Sequence, residues 1–193
     1  MSGARALALF QRHFKREAPK GVSFQDAIHW WQVDYAAAAD TPVEIQAFGT
    51  LPATAGYTSL TKAAQLDWDF ICFEMGILFS GTLADYLGVF GTMPSYLQLK
   101  IANQSGNKIP AILAGGGGGF TGIDMSDDAA APVRVDQIQN GIPSGHGFRF
   151  REEIPIAAST PFYLSHFTPV YTVAGAAGIK LIYWMRGIDG APR

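Results

Sequence analysis

From Val43 to the C-terminus, the sequence is a series of short segments in which apolar and polar side chains alternate. The clearest runs from Ile179 to Arg186, where Ile, Leu, Tyr and Met alternate with Lys, Ile, Trp and Arg. Successive side chains of a β-strand point to opposite faces, so this period of two predicts strands with one buried face. Clusters of Gly, Pro, Asn and Ser separate the segments by about 10 to 15 residues, as in antiparallel sandwiches and barrels. The pattern therefore predicts an all-β domain over residues 43–193, an antiparallel β-sandwich of the jelly-roll type.

Two segments of this domain give more detailed predictions. The stretch Leu66–Ser80 begins with alternation, which places Asp67 and Asp69 together on one face, and continues as a strand covered on both faces. Residues 96–113 predict a hairpin, with a first strand, a Ser-Gly-Asn turn and a return strand over Ile109–Leu113.

Residues 1–42 predict a helical N-terminal arm. Apolar side chains recur at helical spacing over residues 6–14, and Pro19 would end this helix. Ser23 has the character of an N-cap, and residues 24–39 predict a second helix. The boundary with the β domain is expected at residue 42, where the alternating pattern begins.

The predicted arm is basic, whereas the rest of the chain is acidic. Five bases and one acid give residues 1–20 a net charge of +4, so the remainder carries −6 within a whole-chain charge of −2. A basic arm on an acidic body is typical of proteins that contact nucleic acid or another anionic surface. The arm is therefore predicted to contact nucleic acid, a membrane or a neighbouring subunit through Arg5, Arg12, Lys15, Arg16 and Lys20. The alternative is a solvated amphipathic helix whose charges only keep it soluble.

The sequence contains few charged residues for its content of hydrophobic residues. Charged residues make up 16% and hydrophobic residues 48% of the sequence, against a usual charged share of about a quarter. Apolar surface left bare invites association, which indicates a subunit of a homo-oligomeric assembly. The alternative is a tightly packed monomer. Trp and Tyr concentrate at protein interfaces, and the predicted interface residues are Trp30, Trp31, Tyr35, Tyr163, Tyr171 and Trp184. The same aromatics, with Tyr183, have two alternatives, which are core packing and stacking on sugar rings.

Five consecutive glycines follow an apolar run, at Gly115, Gly116, Gly117, Gly118 and Gly119. A phosphate-binding loop needs a Lys and a helix after its glycines, whereas the acidic residues Asp124, Asp127 and Asp128 follow here. We therefore predict a loop between two strands, the second at residues 133–139, that contacts a neighbouring chain. The three aspartates lack the spacing of an EF-hand, and no metal or cofactor is predicted.

No catalytic residues are predicted. The four histidines share no close spacing, and the chain contains neither Gly-x-Ser-x-Gly nor His-Glu-x-x-His. The single cysteine, Cys72, lies among aromatic and aliphatic neighbours and is predicted to be a buried free thiol. One enzymatic alternative remains open, a cupin-like metal site formed by His146, His166 and Glu152 or Glu153.

Three segments between residues 57 and 186 resemble parts of the small jelly-roll or β-sandwich structural proteins of bacteriophage virions. A half-buried strand followed by an apolar one is resembled by LDWDFICFEMGILFSGTL. A strand, a polar turn and a return strand are resembled by YLQLKIANQSGNKIPAIL. The late strands of these proteins are resembled by IPIAASTPFYL together with GIKLIYWMRGID. The resemblance implies a capsid, minor capsid or decoration subunit without catalytic residues. It implies copies of itself and other virion proteins as partners, in a virion assembled in the host cytoplasm. The arm is not part of the resemblance, so its expected contact with packaged nucleic acid or an internal membrane rests on charge and pattern alone. The alternative from another class is a carbohydrate-binding β-sandwich module that uses exposed aromatics.

Overall fold

Strands dominate the computed structural model, which describes residues 3–17, 21–91, 95–115 and 147–192. The strands are β1 (Val22–Tyr35), β2 (Glu44–Ala47), β3 (Phe70–Ser80), β4 (Tyr96–Ile101), β5 (Gln104–Ser105), β6 (Ile109–Pro110), β7 (Phe148–Ile156), β8 (Phe162–Phe167) and β9 (Ile179–Pro192). The helices are α1 (Gly3–Phe14), α2 (Leu83–Tyr86) with a π-helical turn at Leu87–Gly91, and α3 (Ala111–Gly115).

The strands form two antiparallel sheets that pack face to face. The first sheet has the order β1-β9-β3-β7, and the second has the order β2-β8-β4-β5, with β6 also paired to β4. The chain crosses between the sheets at each step from β1 to β4 and again from β7 to β9. The predicted antiparallel β-sandwich preceded by a helix is therefore confirmed.

Alternate side chains of both sheets meet in one core. On β9 the predicted pattern is observed, because Ile179, Leu181, Tyr183 and Met185 are buried while the residues between them are more exposed. The largest buried apolar side chains of the other strands include Phe70, Met75, Ile77, Phe79, Ile45, Leu97, Leu99, Phe162 and Leu164. Removal of this apolar surface from water is the main driving force for the fold.

One polar group in the core joins the two sheets. His166 of β8 is fully buried, with Nδ1 2.8 Å from the Tyr183 hydroxyl of β9 and Nε2 3.1 Å from Ser95 Oγ. Its ring also stacks on Phe90, with centroids 5.5 Å apart. Burial lowers the pKa of His166 to about 3, so the ring is neutral, with one nitrogen donating and the other accepting. Both ring nitrogens therefore have partners in the core, as buried polar groups require.

The second predicted helix is wrong, because residues 22–35 form β1. The apolar spacing there fits a helix, but alternate residues of the same stretch also fit a strand. All 14 residues of β1 pair with β9, and this register places Trp31 in the core. Long-range pairing thus overrides the local helical pattern. The helix of the predicted arm ends at Phe14, and the part of residues 1–42 that forms β1 belongs to the sandwich.

The predicted start of the third strand is also wrong. β3 begins at Phe70 rather than Leu66. Asp69 is buried while Asp67 is exposed, so the two carboxylates do not share a face. Asp69 accepts a hydrogen bond from the Ala158 N–H at 2.8 Å, and this long-range contact takes it out of the alternating pattern.

The predicted return strand of the hairpin is shorter than expected. β6 spans two residues, and the chain then turns into α3. Ala111 and Ala114 are buried while Ile112 and Leu113 are exposed, and a spacing of three residues fits a helix rather than a strand. Gly115 belongs to α3, so the expected loop does not include it. Outside the described residues lie Gly116, Gly117, Gly118, Gly119, Asp124, Asp127, Asp128, His146 and the strand expected at residues 133–139.

Candidate assembly surface

The arm helix α1 packs on the sandwich of its own chain. Ala6 and Phe10 are buried, and the Phe10 ring lies 5.4 Å from that of Phe24 on β1. A Cβ placed on Gly190 of β9 would lie 3.5 Å from the Phe10 ring, so the helix covers the paired ends of β1 and β9. Phe24 and Trp30 are six positions apart in β1, so their side chains point to the same side of the strand. That side is opposite to the buried Trp31, so α1 lies on the outward side of the first sheet.

The basic residues of the arm divide into two groups. Arg16 forms an ion pair with the buried Asp69. Arg5, Arg12 and Lys15 are exposed, and Lys20 lies outside the described residues. The predicted contact residues are therefore not equivalent, because Arg16 helps to hold the end of the arm on its own sandwich while the three exposed bases face solvent.

The outward side of the first sheet carries a surface that we call the aromatic face. Its members are Ile28, Trp30, Leu78, Ile182 and Trp184. Trp30 of β1 and Trp184 of β9 are directly paired, and Ile182 is opposite Leu78 in the next ladder. Ile28 is 56% exposed and Trp30 is 41% exposed, whereas the other three side chains are half-buried. Two predicted interface residues thus meet on one exposed apolar surface.

Trp184 is held against the sheet by two glycines. A Cβ on Gly76 of β3 would lie 2.6 Å from Cζ2 of the indole, and a Cβ on Gly147 would lie at the same distance. Both values are far below ordinary van der Waals contact, so only glycine leaves room for the indole at these positions. The central aromatic residue of this face therefore has a defined position.

A row of alternating charges borders the aromatic face. It consists of Asp26, Arg186, Glu74 and Arg149, which lie on β1, β9, β3 and β7 and line a shallow cleft of about 280 Å³. Glu74 is directly opposite Arg186 on one side and Arg149 on the other. Opposite charges that face each other across strands stabilise a sheet modestly. Across the four strands the charges alternate from negative at β1 to positive at β7.

The outer edge of β1 is covered by the segment at residues 57–59. Gln32 N donates to Tyr57 O at 2.7 Å, and Ser59 N donates to Trp30 O at 3.0 Å. A covered edge does not accept a further strand. The part of the β1 edge at Trp30 to Gln32 is therefore closed to pairing with a further strand.

The outward side of the second sheet, which we call the polar face, is built differently. Its members are Glu44, Lys100, Tyr163 and Ser165. Glu44 Oε1 accepts hydrogen bonds from Ser165 Oγ at 2.7 Å and from Lys100 Nζ at 3.2 Å, and Lys100 Nζ lies 5.1 Å from the centre of the Tyr163 ring. The bond from Ser165 first, and Lys100 second, lower the pKa of Glu44 although its partial burial opposes this. The polar groups of this face are paired with one another.

The other predicted interface residues do not lie on the aromatic face. Trp31 is 7% exposed and donates its Nε1–H to Thr50 O at 2.7 Å. Tyr35 packs against the core, where burial raises its pKa to about 12. Tyr163 belongs to the polar face. For Trp31 and Tyr35, core packing is the role that the structure supports.

Tyr171 lies beside a buried carboxylate. Its hydroxyl donates to Asp85 at 3.0 Å, and Asp85 also accepts hydrogen bonds from the Thr82 hydroxyl and the amides of Ala174 and Gly175. Burial alone would raise the pKa of Asp85, but these hydrogen bonds outweigh it and the pKa is lowered. This arrangement anchors the loop before β9 to α2, so it has a structural role.

The enzymatic alternative includes His146, which lies outside the described residues. Within the described residues, no group of three or more His, Cys, Asp or Glu side chains is placed to hold a metal ion. His166 is enclosed in the core, and Cys72 is a buried free thiol, as expected, whose pKa burial raises to about 12. Among the described helices, none is both long and apolar enough to cross a bilayer.

Sequence reasoning found Trp30 and Trp184 but not the surface they form. Ile28 and the charged row were missed because β1 was expected to be a helix, in which Ile28 would point towards the core. The alternation of Asp26, Ile28 and Trp30 with their neighbours was the available signal. Comparison of this chain with protein-family models, curated proteins and solved structures gives no significant match.

Proposed function

We propose that this protein is a virion structural subunit that assembles with copies of itself through the aromatic face. The observation that carries the proposal is the combination of exposed Trp30 and Ile28 with an adjacent row of alternating charges. Aromatic side chains surrounded by polar groups are characteristic of protein interfaces.

The charged row is complementary to itself. When a second copy is placed over it by a two-fold rotation about an axis that lies in the interface and is perpendicular to the row, the order of charges is reversed, so Asp26 meets Arg149 and Arg186 meets Glu74. A two-fold interface uses the same patch on both subunits and needs this property. Complementary charges set the register of such a contact and suppress wrong partners.

The strand order supports a jelly roll, the fold expected from the resemblance to virion proteins. β1 pairs with β9, β2 with β8, β3 with β7, and β4 with β5 and β6. The chain can therefore be drawn as one long antiparallel hairpin whose paired strands wrap into two sheets, which is the arrangement of a jelly roll. This fold is common in viral capsid proteins, and it also occurs in lectins, so it supports the proposal without carrying it alone.

The exposed bases of the arm give it a second contact in the same assembly. Arg5 and Arg12 on α1, and Lys15 directly after it, are exposed on an arm that its own chain already holds. In the proposed virion they face packaged nucleic acid, an internal membrane or another virion protein. The subunit is then a capsid, minor capsid or decoration protein, and it acts without catalysis.

The mass of the particle in solution tests the proposal. We expect the purified full chain to form dimers and larger closed particles, measured by light scattering and electron microscopy, because the aromatic face is exposed in a single copy. Ile28→Lys should reduce the particles to smaller species, since a charge at the most exposed position of the aromatic face prevents close contact. Gln46→Lys is the matched control, because it adds the same charge to the exposed outward side of the second sheet. A 20.7 kDa monomer at every concentration would overturn the proposal, as would equal effects of the two substitutions.

A further inference from the structure

A cleft of about 220 Å³ opens between the inward side of the first sheet and the segment at residues 59–68. The lining residues that the site uses are Gln25, His29, Ser59, Gln65, Asp67, Trp68 and Asp189. They come from β1, β9 and the segment at residues 59–68, and the pairing of β1 with β9 brings His29 and Asp189 to the same end of the sandwich. The cleft is distinct from the aromatic face, because these β1 and β9 residues point to the opposite side of the sheet.

His29 is fixed inside this cleft by contacts on three sides. Its Nε2 lies 3.1 Å from Asp189 Oδ1, its Nδ1 lies 3.4 Å from Ser59 Oγ, and its ring meets the Phe70 ring edge-on at 4.8 Å. The Asp189 carboxylate can only accept, so Nε2 carries the proton and Nδ1 accepts from the Ser59 hydroxyl. Ser59 Oγ in turn accepts the Trp30 N–H at 3.0 Å. These groups form an ordered polar wall.

The opposite wall carries an aromatic ring among planar polar side chains. Trp68 is 45% exposed although it is large and apolar. Next to it are Asp67 and Gln65, and Gln25 lies across the cleft. An aromatic surface can stack on the apolar face of a sugar ring, while carboxylate and amide groups can each bind two adjacent hydroxyls.

The segment that carries Trp68 is held in place before any ligand binds. Asp67 accepts a hydrogen bond from the Thr61 hydroxyl at 2.8 Å, and Ser159 N donates to Leu66 O at 3.1 Å. Lys62 and Gln65 also form an isolated antiparallel bridge. A preformed site avoids part of the entropy that ordering a loop costs on binding.

The charge of the lining selects between classes of ligand. Neither Lys nor Arg is among the residues that line the cleft, and Asp67 and Asp189 are both acidic. Phosphates, sulfated sugars and sialic acids would therefore meet the wrong charge. A neutral ring with several hydroxyl groups fits both the aromatic wall and the hydrogen-bonding groups.

We propose that this cleft binds a neutral saccharide, with Trp68 stacking on the ring and Asp67, Gln65 and Gln25 binding its hydroxyls. His29, Ser59 and Asp189 form the ordered floor against which the sugar packs. This inference does not rest on the proposed assembly, because a monomer would carry the same cleft. In a virion subunit, such a site would bring the particle to a glycan-bearing surface.

Saturation-transfer NMR on the purified full chain tests the inference. The probes are the methyl glycosides of glucose, galactose and mannose, with N-acetylglucosamine, each at millimolar concentration. We expect at least one of them to bind. Trp68→Ala should weaken that binding by about tenfold or more, because the bound sugar would cover the indole and aromatic side chains buried by a ligand contribute strongly to affinity. Leu113→Ala is the control, because it removes a similarly exposed apolar side chain from α3, outside the lining of the cleft, and should leave binding unchanged.

Two further probes make the outcome decisive. Sialic acid should bind more weakly than the neutral sugars, because it would face Asp67. Choline tests whether the acidic, aromatic cleft instead selects a cation. The inference is overturned if none of the four neutral sugars binds, if choline binds in their place, or if Trp68→Ala has no larger effect than Leu113→Ala. The circular dichroism spectrum of each variant confirms that a loss of binding does not come from unfolding.

Discussion

The outward sides of the two sheets differ in how far their side chains are paired within the chain. On the polar face, Glu44, Ser165 and Lys100 hydrogen-bond one another and Lys100 lies over Tyr163. On the aromatic face, Trp30 and Ile28 remain exposed. A surface that satisfies its own groups needs no partner, whereas exposed apolar area has something to gain from one. The two faces therefore differ in exposed apolar area rather than in charge content, and the aromatic face is the one that the proposed assembly would cover.

Removal of the central aromatic residue from each face should give the largest difference in stability and in assembly between the two faces. Trp184→Ala is expected to destabilise the fold by about 2 to 3 kcal/mol, less than for a fully buried Trp because the side chain is half-buried. It should also prevent assembly, since the indole fills the space above Gly76 and Gly147. Tyr163→Ala on the polar face should cost about 1 kcal/mol and leave assembly intact. Denaturant unfolding and light scattering measure the two effects, and equal losses of stability and assembly in both variants would contradict the distinction.

A charge exchange tests whether the aromatic face meets a copy of itself. Arg186→Glu should weaken assembly by about 1 to 2 kcal/mol, because it puts like charges opposite each other in the two-fold arrangement. Adding Glu74→Arg to the same chain should restore much of the loss, since the two positions face each other between copies and also within one sheet. Sedimentation at several protein concentrations gives the association constants. Failure of the double variant to recover would argue against a two-fold contact of this row.

The smallest change in stability is expected for a substitution within the polar face. Glu44→Gln should lower stability at neutral pH by less than about 1 kcal/mol, because the carboxylate is partly exposed and surface ion pairs contribute little. The pKa of Glu44 is lowered from its ordinary value of 4.5 in the folded state. Its contribution is therefore complete above the unfolded pKa and is lost as the pH falls through the folded one.

Urea unfolding at pH 7 and pH 3 measures this dependence. The difference in unfolding free energy between wild type and Glu44→Gln should shrink at the lower pH, where the carboxylate takes up a proton. Assembly at pH 7 should not change, because the proposed contact surface is the aromatic face. A difference that grows on acidification would show that Glu44 does not stabilise the fold through its charged form.

The sandwich could be predicted because its strands depend on a local pattern. In β9, the alternation of apolar and polar residues is unambiguous, and one face is buried as expected. β1 could not be assigned in the same way, because its apolar residues satisfy the helical and the strand period together. Pairing with β9 over its whole length decides between them, and such a pairing joins residues more than a hundred positions apart.

The aromatic face and the cleft differ in how far they could be predicted from the sequence. Trp30 and Trp184 could be named from residue type, since Trp is enriched at interfaces. The cleft could not be found, because His29, Ser59 and Asp189 share no motif and no spacing. They are brought together by the β1 and β9 register and by the bonds of Ser59 to Trp30. Trp68 was expected on a strand, and its exposure follows from the later start of β3.

The buried contact between His166 and Tyr183 has a mechanical consequence. Sliding one sheet over the other would separate the imidazole from the Tyr183 hydroxyl and leave both without partners in an apolar interior, which costs several kcal/mol. The sandwich therefore resists shear. Because the pKa of His166 is lowered to about 3, this resistance persists through mild acid. A particle built from such subunits should accommodate curvature and stress at the joints between subunits, while each subunit moves as a stiff plate.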